Sequence, residues 1–333
     1  MHALTVAVGA ACLIACAGAA RGSPGEPTLP GVRPGTLDRY QLLVAAAAEH
    51  APRASAKEAS PRAQCEEDLR LPWGPIQSCR TAIVAGGIAT SAAVSMVAWW
   101  AQGFTSNFNI ADEGWFDKGA YAGGVDKLGH TFSFYLATRL GTRALSWARL
   151  PQHEAKRVAA GVTFGFGLGV EILDGLSRNG RAGFSWEDMV MNALGVGLGV
   201  AMETHPQLDR HLAFRWMYSP GGRDGSWYDH HVYLLAWRLS GLSAIGPDNP
   251  LRYLELVAGY GAKGFRTDLD YSQGDLRRRT AYFGIALNLT ELLDRTAFAG
   301  SARDSSARYW TAETLRYVQP PGTVAAWRKD WRP

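Results

Sequence analysis

The stretch GVTFGFGLGVEILDG, residues 161–175, decides the fold. It carries no proline and no charge until Glu171, and Asp174 follows three positions later, just before Gly175. Extended back to Glu154, the run predicts a helix over Glu154–Leu176. Gly161, Gly165, Gly167 and Gly169 lie inside it. Each costs roughly 1 kcal/mol against alanine in a helix interior. A helix that keeps four predicts close backbone approach to another helix, in lipid or in a dense bundle.

The neighbours share this character. Trp186–Glu203 is a helix with Gly195, Gly197 and Gly199, and Asp126–Trp147 is another. Thr81–Ala101 carries no charge and is long enough to span a bilayer, with Trp99 and Trp100 at an end suited to an interface. An exported N-terminus and four spans would put Arg149, Lys156 and Arg157 outside, against the positive-inside tendency. Either some of these helices do not cross, or the bundle docks on a membrane.

After His205 the period shortens. Tyr228–Leu239, Leu251–Ala262 and Thr280–Leu289 read as strands; in the last, Ala281, Phe283, Ile285, Leu287 and Leu289 alternate with Tyr282, Gly284, Ala286 and Asn288. Asp268–Arg279 suits a long hairpin loop. The fold class is therefore α+β: a Gly-rich apolar bundle of about four helices, residues 65–204, membrane-embedded or docked, then a small antiparallel sheet over 205–300. Residues 301–333 read as a polar tail.

The composition agrees. Apolar residues make up 47% of the 333 positions, which excludes wholesale disorder. The net charge is only +4, with no basic stripe, so nucleic acid is not a partner. Membrane lipid is the expected partner, and the residues name no cofactor and no protein partner.

Residues 1–20 read as a signal peptide, because the apolar run Leu4–Ala20 is short and ends in small residues. Ala17-Gly18-Ala19 fits ordinary cleavage, and Leu13-Ile14-Ala15-Cys16 fits a lipobox, with Cys16 lipidated. Residues 21–64 are a linker. Cys65 and Cys79 are expected to form a disulfide, worth roughly 3 kcal/mol in the chain-entropy model. These features place the protein in the cell envelope, periplasm-facing and membrane-associated.

Polar groups recur at helical spacing. Asp126 and His130 are four apart with Lys127 between them; Glu171 and Asp174 are three apart; Asp188 and Asn192 are four apart, after Ser185. Arg178 and Arg181 sit in the intervening turn. Ionisable groups in apolar helices are costly unless paired, so the three faces should converge.

The combined pattern, Asp-Lys-x-x-His, Glu-x-x-Asp-Gly and Ser-x-x-Asp-x-x-x-Asn-x-x-Gly, resembles the YfiM-like family of bacterial periplasmic lipoproteins. It is more distantly similar to VanZ-like membrane proteins. The resemblance covers about residues 125–200, Gly195 being the last motif residue, with a weaker continuation through Trp227-Tyr228 and Gly259-Tyr260-Gly261. It implies an envelope location and brings no biochemical activity.

Simpler roles compete for each residue. Ser185 caps the fourth helix and Asp188 completes the cap; Glu171 with Lys127, or Asp174 with Arg178, are structural ion pairs. As a catalytic set, His130, Asp126, Lys127, Glu171, Asp174 and Asp188 would carry acid/base chemistry, with Arg178, Arg181, Ser185 and Asn192 binding. No metal ligand set is assigned, although one histidine among carboxylates would suit a hard or borderline ion. His205, Asp209 and His211 read as solvated. The preferred reading is an envelope protein with a structural or lipid-binding role, whose polar cluster holds the bundle in register. The alternative is a membrane-proximal enzyme acting on a lipid-linked or phosphorylated substrate by acid/base or metal-assisted chemistry.

Overall fold

The computed structural model describes residues 70–71, 74–75, 79–98, 100–148, 150–178, 183–218, 227–265, 275–300 and 305–332. Two short strands, β1 (Arg70–Leu71) and β2 (Gly74–Pro75), precede four long helices: α1 (Cys79–Ala98), α2 (Val125–Trp147), α3 (Gln152–Gly175) and α4 (Trp186–Thr204). A short α5 (Pro206–His211) leads into β3 (Leu212–Tyr218), β4 (His231–Arg238), β5 (Leu254–Lys263) and β6 (Arg278–Leu287). The chain ends with α6 (Leu289–Arg295), α7 (Ser306–Tyr317) and β7 (Val324–Trp331). The architecture is α+β, with the helical part first.

Helix α2 is the spine. Nearly every residue from Val125 to Leu140 is buried. On one side Phe132 and Tyr135 pack on Phe214 and Tyr233 of the sheet, with ring centroids 5.6–5.9 Å apart for the Phe132–Phe214, Phe132–Tyr233 and Tyr135–Phe214 pairs. On the other side it packs against α3 and α4. Gly195 lets α4 approach closely, because a Cβ there would collide with the Thr131 carbonyl oxygen, and at Gly199 it would lie 2.9 Å from Thr138 Cβ. Gly167 gives way to the Phe134 ring.

The close approach expected of all seven glycines holds for only some of them. A Cβ at Gly161, Gly165, Gly169 or Gly197 would meet nothing within 4 Å. These four face outward, among the exposed Val158, Phe164, Leu168, Ile172, Val190 and Leu194.

The entry to α2 is unusual. Ala122, Gly123 and Gly124 have φ of 47°, 65° and 86°. Side chains avoid this left-handed region, and a Cβ at Gly124 would also collide with Phe116. The turn redirects the chain so that Asp126 and Lys127 enter the core in the first turn of α2.

The sheet is a five-stranded antiparallel meander, in order β3-β4-β5-β6-β7. Residues 301–333, expected to be a tail, instead supply α7 and the edge strand β7. Trp100, expected at a membrane interface, is buried, while Trp99, Cys16, Cys65 and Arg181 lie outside the described residues. The expected disulfide of Cys65 with Cys79 thus falls outside the described residues. Asp209 is not solvated: it is buried, accepts from Arg139 at 2.6 Å and from Arg316 at 2.7 Å, and so ties α2, α5 and α7 together.

The register puts Leu235, Ala258, Phe283 and Trp327 in one row across the sheet, and Trp237, Leu256, Ile285 and Ala325 in the next. These rows share the face on which Phe214 and Tyr233 meet α2, but beyond the helix they are uncovered, and Trp327 is 63% exposed. The predicted alternation in β6 is present, with its bulkier set, Phe283, Ile285 and Leu287, outward.

The two classes of glycine should separate on substitution. Gly195→Ala is expected to lower unfolding free energy by about 1–3 kcal/mol through overpacking. Gly165→Ala should raise it by up to about 1 kcal/mol through helix propensity. Denaturant unfolding of both variants under the same conditions would show opposite signs, and equal effects would refute the close-approach account.

Candidate functional site

Residues that sequence spacing placed on three helix faces do meet. Lys127, fully buried, sends its Nζ to Glu113 Oε2 at 2.5 Å, to Asp188 Oδ1 at 2.7 Å and to Asp126 Oδ2 at 3.5 Å. The ion pairs differ from the expected ones. Lys127 takes Glu113 and Asp188 rather than Glu171. Asp174 accepts from Trp100 Nε1 at 2.7 Å, whereas the exposed Arg178 donates to the Phe104 carbonyl at 2.7 Å and stays outside the cluster.

His130 lies at the centre. Its Nδ1 is 2.9 Å from Asn192 Oδ1 and 4.0 Å from Glu171 Oε1. Its Nε2 lies 3.7 Å from Asp188 Oδ1 and 3.9 Å from Asp126 Oδ2. The i, i+4 spacing of Asp126 and His130, and of Asp188 and Asn192, supplies both sides of this contact.

Ser185 is the N-cap of α4: its Oγ accepts from the Asp188 backbone N–H at 3.2 Å. The reciprocal half of a capping box is not made by Asp188, whose carboxylate is taken by Lys127. Glu171 stands in for it, its Oε2 accepting the Ser185 N–H at 3.3 Å. This one bond joins the end of α3 to the start of α4.

Three members were not read from the sequence as parts of the site. Trp100, read as an interface residue, donates to Asp174. Glu113 lies in the loop before α2, where an acid carries no helical signal. Tyr228, remote in sequence, donates its hydroxyl to Asp126 Oδ1. Among the side chains whose exposure bears on access, Glu113 is the most open at 18%, while those of Asp126, Lys127, His130, Glu171 and Asp188 are 0–5% exposed.

Crowded acids in a poor solvent keep their protons. Burial, then the Asp188 and Asp174 charges, push the Glu171 carboxyl up to about 10. Burial, then Asp188 and Asp126, raise Glu113 to about 8. Burial raises Asp174 to about 6, and burial with the Asp126 charge raises Asp188 to about 6. Burial would raise Asp126 too, but His130 and Lys127 overcome it and hold that carboxyl below the usual range. The site therefore sorts its acids into proton holders and anions.

Residues 112–204 match a family model described as predicted periplasmic lipoprotein (DUF2279). The match spans the loop of Glu113 and helices α2, α3 and α4, which hold every member of the cluster except Trp100 and Tyr228. No curated protein and no solved structure matches the chain. The family's description accords with an uncharacterised envelope protein facing the periplasm.

A carboxyl whose pKa is raised on folding stabilises the fold at low pH and loses that contribution as pH rises towards its folded value. Each such group contributes a slope of about 1.4 kcal/mol per pH unit between its unfolded and folded values. For the metal-free chain, stability should fall as pH rises from 6 to 9. Glu171→Gln should remove one proton's worth of that slope, and denaturation curves at pH 6, 7, 8 and 9 would check it.

Proposed function

We propose that this is a periplasm-facing envelope protein that rests an apolar helical layer against lipid, while its buried charge cluster fixes the helices in register. The observation that carries the proposal is the outer surface of α3 and α4. Val158, Phe164, Leu168 and Ile172 on α3, and Val190 and Leu194 on α4, are all exposed, Leu194 at 55%. The uncovered apolar rows of the sheet extend the same character. Monomeric soluble proteins rarely leave so large an apolar surface uncovered.

Two further points support it. Among the described residues one helix, Gln152–Gly175, is long and apolar enough to cross a membrane. The resemblance of the polar motif to YfiM-like lipoproteins adds an anchor at Cys16 that would hold this layer at a bilayer surface. The near-complete burial of the cluster favours a role in register over one as an open site.

The test is partition onto vesicles of phosphatidylethanolamine and phosphatidylglycerol, using the Cys16→Ser chain so that no acyl group contributes. Each half-exposed leucine contributes about 1 kcal/mol on transfer to lipid. Leu168→Asp with Leu194→Asp should therefore weaken partition more than tenfold while thermal unfolding in micelles stays unchanged. Equal partition of the double variant would refute the reading.

A further inference from the structure

We infer that Asp126, His130 and Asp188 form a binding site for one divalent transition cation, with Zn²⁺ the preferred ion. This goes beyond the lipid-facing role and does not depend on it.

The geometry comes first. One ligand atom from each residue, a carboxylate oxygen, an imidazole nitrogen and a second carboxylate oxygen, lie within 4.8 Å of one another. The distances from His130 Nε2 are 3.9 Å to Asp126 Oδ2 and 3.7 Å to Asp188 Oδ1. Ligands that each stand about 2.0–2.2 Å from one tetrahedral zinc ion are separated by roughly 3.3–3.6 Å. The two His130 distances lie within a few tenths of an ångström of that spacing, and the two carboxylate oxygens close on the ion from no more than 4.8 Å apart.

The surroundings resemble a ligand support. A metal-bound histidine characteristically donates its other ring N–H to a carbonyl or carboxylate, which fixes the tautomer. Here Nδ1 lies 2.9 Å from Asn192 Oδ1, the contact such a support makes, and Nε2 lies between two carboxylates. Asp126 is held through its other oxygen by the Tyr228 hydroxyl, whereas Asp188 Oδ1, the candidate ligand atom itself, accepts from Lys127 at 2.7 Å. His130 and Asp126 are therefore held from behind, and an ion bound here displaces the Lys127 ammonium from Asp188 Oδ1.

Charge points the same way. Asp126 and Asp188 share the single ammonium of Lys127, so with Glu113 holding its proton the buried site keeps one negative charge in excess. A divalent ion brings charge of the opposite sign to it. A mixed set of one nitrogen and two oxygens favours a borderline ion, and among the divalent ions that suit it zinc binds more tightly than manganese. Coordination is completed from the more open Glu113 side, by its carboxylate or by water.

The experiment uses the full chain in micelles, stripped with a chelator and then titrated with Zn²⁺. About one zinc per chain should survive dialysis, and the melting temperature should rise with zinc but not with equal Mg²⁺. Co²⁺ in place of zinc should give visible absorption bands that zinc abolishes. His130→Ala and Asp188→Asn should each weaken zinc binding at least tenfold, and Asn192→Ala by tenfold or more. His153→Ala, at an exposed histidine, should bind as wild type. Wild-type chain that holds no zinc, or shows no cobalt bands, overturns the proposal even if a variant fails to fold. Undiminished binding in His130→Ala overturns it as well, showing an adventitious surface ion.

Discussion

A fully buried lysine ammonium sets the constraint on which the helical half depends. Lys127 has no exposed side-chain surface, and an unpaired charge in such a place would be destabilising by several kcal/mol. Its three carboxylate partners come from a loop, from its own helix and from α4. Satisfying it therefore docks α4 on α2 at one register and pins the Glu113 loop over the junction. The small residues follow from that docking: Gly195 sits where α4 comes close to α2, one turn beyond Asn192 and two beyond Asp188. The left-handed Ala122-Gly123-Gly124 turn follows too, because only a sharp change of direction brings Asp126 and Lys127 into the core at the first turn.

The other end of α2 carries a second charge network that locks the helices to the sheet. Arg139 donates to Glu203 at 2.7 Å and to Asp209 at 2.6 Å, and Arg316 of α7 reaches the other oxygen of Asp209. Arg238 of β4 donates to the Asp209 carbonyl at 2.7 Å. Arg215 of β3 meets Glu255 of β5 at 2.5 Å and Gln319, in the turn after α7, at 2.7 Å. Removing one partner from such a network leaves a buried charge uncompensated, whereas the complete set is nearly neutral. α2 is thus held polar at both ends and aromatic in the middle, where Phe132 and Tyr135 meet the sheet.

Local signals made the helices legible. Pro151 begins α3, Gly175 closes it, and Ser185 caps α4, so each of these boundaries lay within about two residues of its expected place. The i, i+4 pairs identified the cluster because helical spacing alone puts such residues on one face. β3 gave no alternation to read, since Ala213, Phe214 and Arg215 are buried in succession, Phe214 against α2 and Arg215 on the other face against Glu255 and Gln319. β7 was hidden for the opposite reason: Arg328, Lys329 and Asp330 lie on an exposed edge strand, where charge is normal and hydrophobic period is absent. Glu113, Tyr228 and Asp209 reach their partners across long sequence separations, and no local pattern encodes such pairings.

The distribution of polarity is what connects the cluster to the surface. α3 buries Thr163, Glu171 and Asp174 and turns Val158, Phe164, Leu168 and Ile172 outward. A helix of a water-soluble protein does the reverse, because the gain from removing apolar surface from water drives its packing. Beside lipid that gain is absent between helices, and association relies on close packing and on polar contacts inside the bundle. The close fit at Gly195 and Gly199, and the ionic contacts of Lys127 and His130, are of those two kinds. In the lipid-facing arrangement proposed above, the outward glycines at 161, 165 and 169 need no packing partner, since a lipid chain can fill the space beside them. On that proposal, buried charge and exposed hydrocarbon on one helix are two consequences of a single environment, in which only the protein interior offers partners to polar groups.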